Sequence, residues 1–174
     1  MFTICRNYGI IDSRGDILVD SRKAGGLRCS PLHTLSENEI NHLKDEIRTI
    51  KADENIFIFN KGQFTGYIPE RDTIYIKGNV FPSNDNSIHP RDLMSERAVL
   101  AHEYYGHRAY RNTKLQDGSW NDEFRASYMA AKNTPNLNDK DRQYLILDAI
   151  ERAKEAGVTI TYNKFMRRIL YGKN

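Results

Sequence analysis

Apolar residues recur at helical spacing directly after a polar start at Ser36. Ser36 and Glu39 have the residue types and spacing of a capping box, in which each side chain binds the backbone N–H of the other residue at a helix N-terminus. Ile40 and Leu43 then begin a repeat of apolar residues three or four positions apart, which is the period of one helix face. This pattern predicts an amphipathic helix over residues 36–51.

Two short runs of β-branched and aromatic residues follow, Ile56–Phe59 and Thr73–Lys77. Such residues favour strands, and the glycines and polar residues on either side of the runs favour turns. The runs therefore predict two strands of a small sheet. In residues 1–35, short apolar pieces alternate with turn-prone pairs, which predicts a hairpin or an irregular arm.

The second half of the chain has the period of helices. Four segments are predicted to be helical, with approximate bounds 90–111, 121–132, 139–157 and 163–171. The first can begin at Pro90 or at Ser95. Because strands precede helices, we predict an α+β fold in which a small, mainly antiparallel sheet packs on several helices within a single domain of residues 1–174.

The composition is that of an ordinary globular protein. The chain has 174 residues, of which 39% are apolar and 28% charged, and its net charge of +3 favours neither a nucleic-acid nor a membrane partner. No apolar run reaches the ~20 residues of a membrane span, and the N-terminus lacks the pattern of a signal peptide, so we expect a cytoplasmic protein. Cys5 and Cys29 lack the CxxC spacing of a thiolate metal site, and the sequence leaves open whether they pair.

Two segments carry the candidate chemistry: HEYYGH, which has two histidines and a glutamate, and the later acidic segment NDEFRAS. Catalytic zinc takes three ligands from the protein and holds a water molecule, whose pKa falls to about 7, in the fourth position. His102, His107 and Glu123 would supply the three ligands. Glu103 would accept the proton of that water and pass it to a leaving amine. The residue types therefore predict a hydrolase that uses Zn²⁺.

Each of these segments has an alternative interpretation. Glu103 and His107 lie four residues apart and would form a surface pair on an exposed helix without any metal. The helix dipole favours an acidic residue such as Glu123 in the first turn of a helix, again without a metal. If there is a metal, Asp122 is a second candidate for the carboxylate ligand.

The spacing of the two histidines is unusual for a zinc helix. His102 and His107 are five residues apart, and five residues of a regular α-helix turn through about 500°, which leaves the two imidazoles about 140° apart. One ion cannot bind both rings in that arrangement. A π-type bulge around Tyr105 and Gly106 would return the rings to one face, and such bulges are frequent at functional sites. We therefore predict i to i+5 hydrogen bonding between the two histidines.

The segments HEYYGH and DEFRAS resemble the HExxGH motif and the following acidic motif of dipeptidyl peptidase III, a family of zinc peptidases. The resemblance covers about residues 98–130 and implies a zincin-like fold. It also implies that His102, His107 and Glu123 bind zinc and that Glu103 is the base, the same roles as those assigned above from ligand chemistry. The longer run HPRDLMSERAVLAHEYYGH resembles small metallopeptidase domains of bacterial polymorphic toxins. The expected partners are a peptide or protein substrate and an inhibitor or immunity protein.

The rival hypothesis is a non-catalytic binding module. In it the chain docks through its basic C-terminal helix, residues 163–171, and any zinc is structural. Structural zinc sites have four protein ligands, and the two segments supply three, which favours catalysis. Two further points stay open. The run Ile74–Lys77 is either an edge strand that holds a peptide or an interior strand. Arg97 and Arg125 either pair with nearby carboxylates or bind a substrate carboxylate.

Overall fold

A computed structural model describes residues 28–82 and 89–172 of the chain. Its α-helices are α1 (Glu37–Thr49), α2 (Pro90–Leu93), α3 (Glu96–Ala101), α4 (Trp120–Asn133), α5 (Asp139–Glu155) and α6 (Lys164–Tyr171). Its strands are β1 (Phe57–Phe59), β2 (Gly66–Ile68) and β3 (Thr73–Ile76). These elements confirm the predicted α+β class. Most of the predicted N-terminal arm, Cys5 among it, lies outside the described residues.

The three strands form a mixed sheet with the order β1-β3-β2. The two strands predicted from the sequence, β1 and β3, pair in parallel, with Phe57 opposite Ile74. The third strand, β2, pairs with β3 in the antiparallel direction, with Tyr67 opposite Ile74. Only one of the two ladders is therefore antiparallel, whereas we predicted a mainly antiparallel sheet. Between β1 and β3 the chain first forms β2, which pairs with the other side of β3. Because β2 runs opposite to both of the other strands, β1 and β3 run in the same direction.

The sequence signals for α1 and α5 are confirmed in the structure. At the start of α1, the Ser36 hydroxyl accepts a hydrogen bond from the Glu39 N–H, and the Glu39 carboxylate accepts one from the Ser36 N–H at 2.8 Å. At the start of α5, Asn138 caps the helix through the Asp141 N–H, and Gly157 takes a left-handed conformation just beyond its end. Of the described helices, none is long and apolar enough to span a membrane.

The helix predicted over residues 90–111 is divided into consecutive pieces. The α2 helix ends before Met94, whose ψ of 135° leaves the helical region, and Ser95 then caps α3 by accepting a hydrogen bond from the Ala98 N–H. After α3 the chain forms a π-helix over His102–His107 and a 3₁₀ turn over Arg108–Tyr110. Both predicted starting points, Pro90 and Ser95, are therefore used.

The hydrophobic core lies between α1, the sheet and the helices of the second half. Its largest fully buried side chains include Leu43, Ile47, Ile74, Ile76, Leu100, Leu145 and Ile146. The α4 helix packs against both α5 and the π-helical segment, and β2 contacts the same segment from the other side. The π-helix is thus held between a helix that supplies carboxylates and the edge of the sheet.

Candidate metal centre

The two histidines of the HEYYGH segment lie side by side because their helix is a π-helix. The segment His102–His107 has i to i+5 hydrogen bonding, which continues at its end where the Arg108 N–H donates to the Glu103 carbonyl. The Nε2 atoms of His102 and His107 are 3.0 Å apart. The i to i+5 prediction is confirmed, and the irregularity extends over the whole segment rather than one bulge.

The first turn of α4 brings Glu123 to the same point. One carboxylate oxygen of Glu123, Oε2, is 3.4 Å from His102 Nε2, and the other, Oε1, is 3.7 Å from His107 Nε2. Glu123 Oε2 is buried and makes no hydrogen bond. Two imidazole nitrogens and a buried carboxylate therefore converge on a small volume, and their donor set matches the preference of zinc for nitrogen and oxygen ligands.

Asp122, the alternative ligand, takes a different position beside His107. Its Oδ2 atom lies 3.4 Å from Nδ1, the ring nitrogen that faces away from His102. Asp122 also accepts a hydrogen bond from the Gly118 N–H at 3.1 Å and forms an ion pair with Arg125. Oxygens of Asp122 and Glu123 and a nitrogen of His107 do lie within 4.8 Å of one another. The contact of Asp122 with Nδ1 is nevertheless the kind made by residues that orient metal-binding imidazoles, and it would leave Nε2 free for a metal.

Glu103, the candidate base, faces the same point from the π-helix. It is buried, and its Oε2 atom accepts a hydrogen bond of 2.8 Å from the backbone N–H of Tyr67 in β2. One of its oxygens lies within 4.8 Å of the ligand nitrogens of His102 and His107. The edge of the sheet thus fixes the carboxylate next to the histidines.

The surrounding carboxylates favour a positive charge at this point. Burial alone would lower the pKa of His107, but its hydrogen bond to Asp122 and the charges of Glu103 and Glu123 raise that pKa to about 9. Burial alone would raise the pKa of Glu123, but contact with both histidines and the charge of Arg152 hold it well below its usual range. Without a metal, the carboxylates therefore favour a proton on His107.

An open cleft of about 260 Å³ leads to the candidate centre. Glu103, His107 and Glu123 line this cleft, together with Gly66 and Tyr67 of β2. The run Ile74–Lys77 is not an edge strand, because β3 is the central strand of the sheet. The edge next to the cleft belongs to β2, which the sequence did not reveal because Gly66–Ile68 contains only one β-branched residue.

The two arginine candidates from the sequence have structural partners. Arg97 forms an ion pair with Glu46 of α1, and Arg125 forms one with Asp122. Sequence reasoning missed Ser127, which contacts His102. Its position four residues after Glu123, on the same face of α4, was the available signal.

Gly106 is required where the π-helix crosses α4. A Cβ atom at this position would lie 2.5 Å from the Ala126 carbonyl oxygen and 2.8 Å from the Ala126 Cα. Backbone atoms cannot move aside as a flexible side chain can. The close approach of the two helices, which brings Glu123 to the histidines, therefore depends on glycine.

We expect Gly106→Ala to lower the free energy of unfolding by about 2–3 kcal/mol, the upper part of the usual range for overpacking, and to weaken zinc binding. Denaturant unfolding and a zinc titration measure the two effects. Gly66→Ala is the matched control, because nothing lies within 4 Å of a Cβ atom there. Equal stability of the two variants would contradict the steric account of Gly106.

Comparison of the chain with protein-family models, with curated proteins and with solved structures finds no match.

Proposed function

We propose that this protein is a zinc-dependent hydrolase of peptide bonds. The observation that carries the proposal is the convergence of His102 Nε2, His107 Nε2 and the Glu123 carboxylate, at separations of 3.0–3.7 Å, beside the buried carboxylate of Glu103. Three ligands leave a fourth position for water, as in catalytic zinc sites. The open cleft on this side gives a substrate access to that position.

The residues of the site have separate tasks in this proposal. His102, His107 and Glu123 would hold the ion, which when bound would lower the pKa of a water molecule to about 7 and polarise a carbonyl group. Glu103 accepts the proton of the attacking water and donates it to the leaving amine. The Tyr67 N–H keeps one Glu103 oxygen in place, which leaves the other oxygen for proton transfer.

The wall of the cleft supports a peptide as the substrate. An edge strand can bind an extended peptide through backbone hydrogen bonds. Among the described strands β2 is an edge strand, its residues are partly exposed, and Gly66 and Tyr67 line the cleft. Because a strand edge binds main-chain groups, it accepts many side chains. The cleft therefore suits an unfolded segment or an exposed loop of a protein.

Removal and return of the metal test this function. The purified chain should contain one zinc ion and cleave peptides from a mixed-sequence library, with the products identified by mass spectrometry. Extensive dialysis against a chelator should abolish cleavage, and added Zn²⁺ should restore it. Cleavage that persists in the metal-free chain, or a zinc-loaded chain that cleaves no member of the library, would contradict the proposal.

The same assay separates the hydrolase from the rival binding module. Arg167 and Arg168 lie on exposed positions of α6. Charge reversal of both should leave peptide cleavage intact if the metal centre carries the function. If these changes abolish the biological activity of the chain and removal of the metal does not, the chain acts by docking through its basic helix.

A further inference from the structure

The two imidazoles of the candidate centre are held in different ways. Asp122 contacts Nδ1 of His107 directly, whereas Nδ1 of His102 lies 2.9 Å from the hydroxyl oxygen of Ser127. The Ser127 hydroxyl in turn lies 2.6 Å from Oδ2 of Asp148 in α5. Ser127 and Asp148 are almost fully buried, at 0% and 1% exposure, so water does not replace either partner.

The hydrogen bonds of Ser127 determine which nitrogen of His102 carries a proton. A carboxylate only accepts hydrogen bonds, and a serine hydroxyl has a single proton to donate. That proton therefore lies between Ser127 and Asp148, and the Ser127 oxygen must accept from an Nδ1–H of His102. The lone pair of Nε2 then points towards His107 and Glu123, which is the orientation that a metal requires.

Two arginines fix the far end of this chain of hydrogen bonds. The Nε atom of Arg152 is 3.3 Å from Oδ1 of Asp148, and the Nε atom of Arg91 is 3.5 Å from the same oxygen. The Nη2 atom of Arg152 is also 3.3 Å from Oε2 of Glu123. One buried arginine thus contacts both the carboxylate ligand and the carboxylate that orients His102 through Ser127.

We propose that Ser127 and Asp148 are positioning residues of the metal centre: they form a buried relay that keeps His102 in the Nδ1–H tautomer, so that Nε2 is free to bind zinc. This inference rests on the proposed zinc centre. The α5 helix supplies no ligand in this arrangement, but its Asp148 orients His102 through Ser127, and its Arg152 balances the charge of Glu123. Outer partners of metal-bound histidines typically change metal affinity 10–100-fold when they are removed.

Ser127→Ala tests the relay with the full-length chain. We expect zinc to bind about 10–100-fold more weakly, measured by competition with a chromophoric chelator. Ser95→Ala is the matched control, because Ser95 also donates to a buried aspartate, Asp141, at 2.7 Å but has no hydrogen bond to a candidate ligand. It should lose stability comparably and keep the zinc affinity of the wild type. Equal affinity of Ser127→Ala and the wild type would overturn the relay and leave the proposed hydrolase standing.

A second variant and a spectroscopic measurement test the proton position itself. In Asp148→Asn the new amide can donate to Ser127, which would turn the hydroxyl proton towards His102 Nδ1 and favour the wrong tautomer, so zinc affinity should again fall. Proton–nitrogen correlation NMR of the zinc-loaded wild type should detect a slowly exchanging Nδ1–H of His102. A His102 bound to zinc through Nδ1, or a wild-type chain that binds no zinc, would overturn the relay, and the latter result alone would also overturn the proposed function.

Discussion

Glu103→Gln should leave one zinc ion per chain and lower kcat/KM for peptide cleavage by about 10²–10⁴-fold, the usual contribution of a general base. Glutamine keeps the size of the side chain, and its amide oxygen can still accept the hydrogen bond from the Tyr67 N–H. It cannot accept a proton from water. The change therefore removes one chemical step and leaves the metal and the architecture of the cleft in place.

Metal analysis and steady-state kinetics on the same preparation check both halves of this result. Glu37→Gln is a suitable control, because Glu37 lies in the first turn of α1 and its side chain is exposed. It should have the activity of the wild type. A Glu103→Gln enzyme with full activity would remove Glu103 from the mechanism, and one without zinc would make Glu103 a ligand instead of a base.

His107→Ala should contain no stoichiometric zinc and have no measurable peptidase activity. The substitution leaves one imidazole and one carboxylate, fewer than the three protein ligands that catalytic zinc sites use. It also leaves Asp122 and Glu123 without the imidazole that both face at less than 4 Å. Loss of the metal and loss of activity are therefore expected together, in contrast to the result for Glu103→Gln.

His42→Ala is the control for the loss of a histidine. His42 is exposed and pairs with Glu96 at 2.7 Å, far along the chain from the ligand set. Its removal should change neither zinc content nor activity. The ligand assignment would fail if His107→Ala retained the zinc content of the wild type after dialysis.

The sequence predicted those parts of the fold that depend on local signals. The capping box at Ser36 and the apolar repeat after it define α1, and the asparagine cap and terminal glycine define α5. The β2 strand was missed, because Gly66–Ile68 is only three residues long and begins with a glycine, so its pairing with β3 rather than a local pattern defines it. Strand direction could not be predicted either, since it depends on where the chain crosses β3.

The candidate site was predictable to the extent that its chemistry is local. The five-residue spacing of His102 and His107 permits a shared metal only in a π-helix, and the structure has one there. The choice between Asp122 and Glu123 could not be made from the sequence, because the two are adjacent. It depends on which ring nitrogen each carboxylate faces, and that depends on the rotation of α4 against the π-helix.

The partners that lie outside the ligand set required the tertiary structure. Ser127 and Asp148 come from different helices, and their alignment with His102 depends on the packing of α4 against α5. Gly106 is conspicuous in the sequence, but its contact with the backbone of Ala126 is a property of the assembled helices. Local patterns thus predicted the candidate groups, and packing determined their orientation.

The most direct test of the proposed metal centre is anomalous diffraction at the zinc edge from crystals of the zinc-loaded chain. We predict a single strong anomalous peak, from a zinc ion bound to the Nε2 atoms of His102 and His107 and to the Glu123 carboxylate, with a light atom in the fourth position. A peak at another cluster, a fourth protein ligand that closes the site, or no peak in zinc-soaked crystals would contradict the catalytic metal centre.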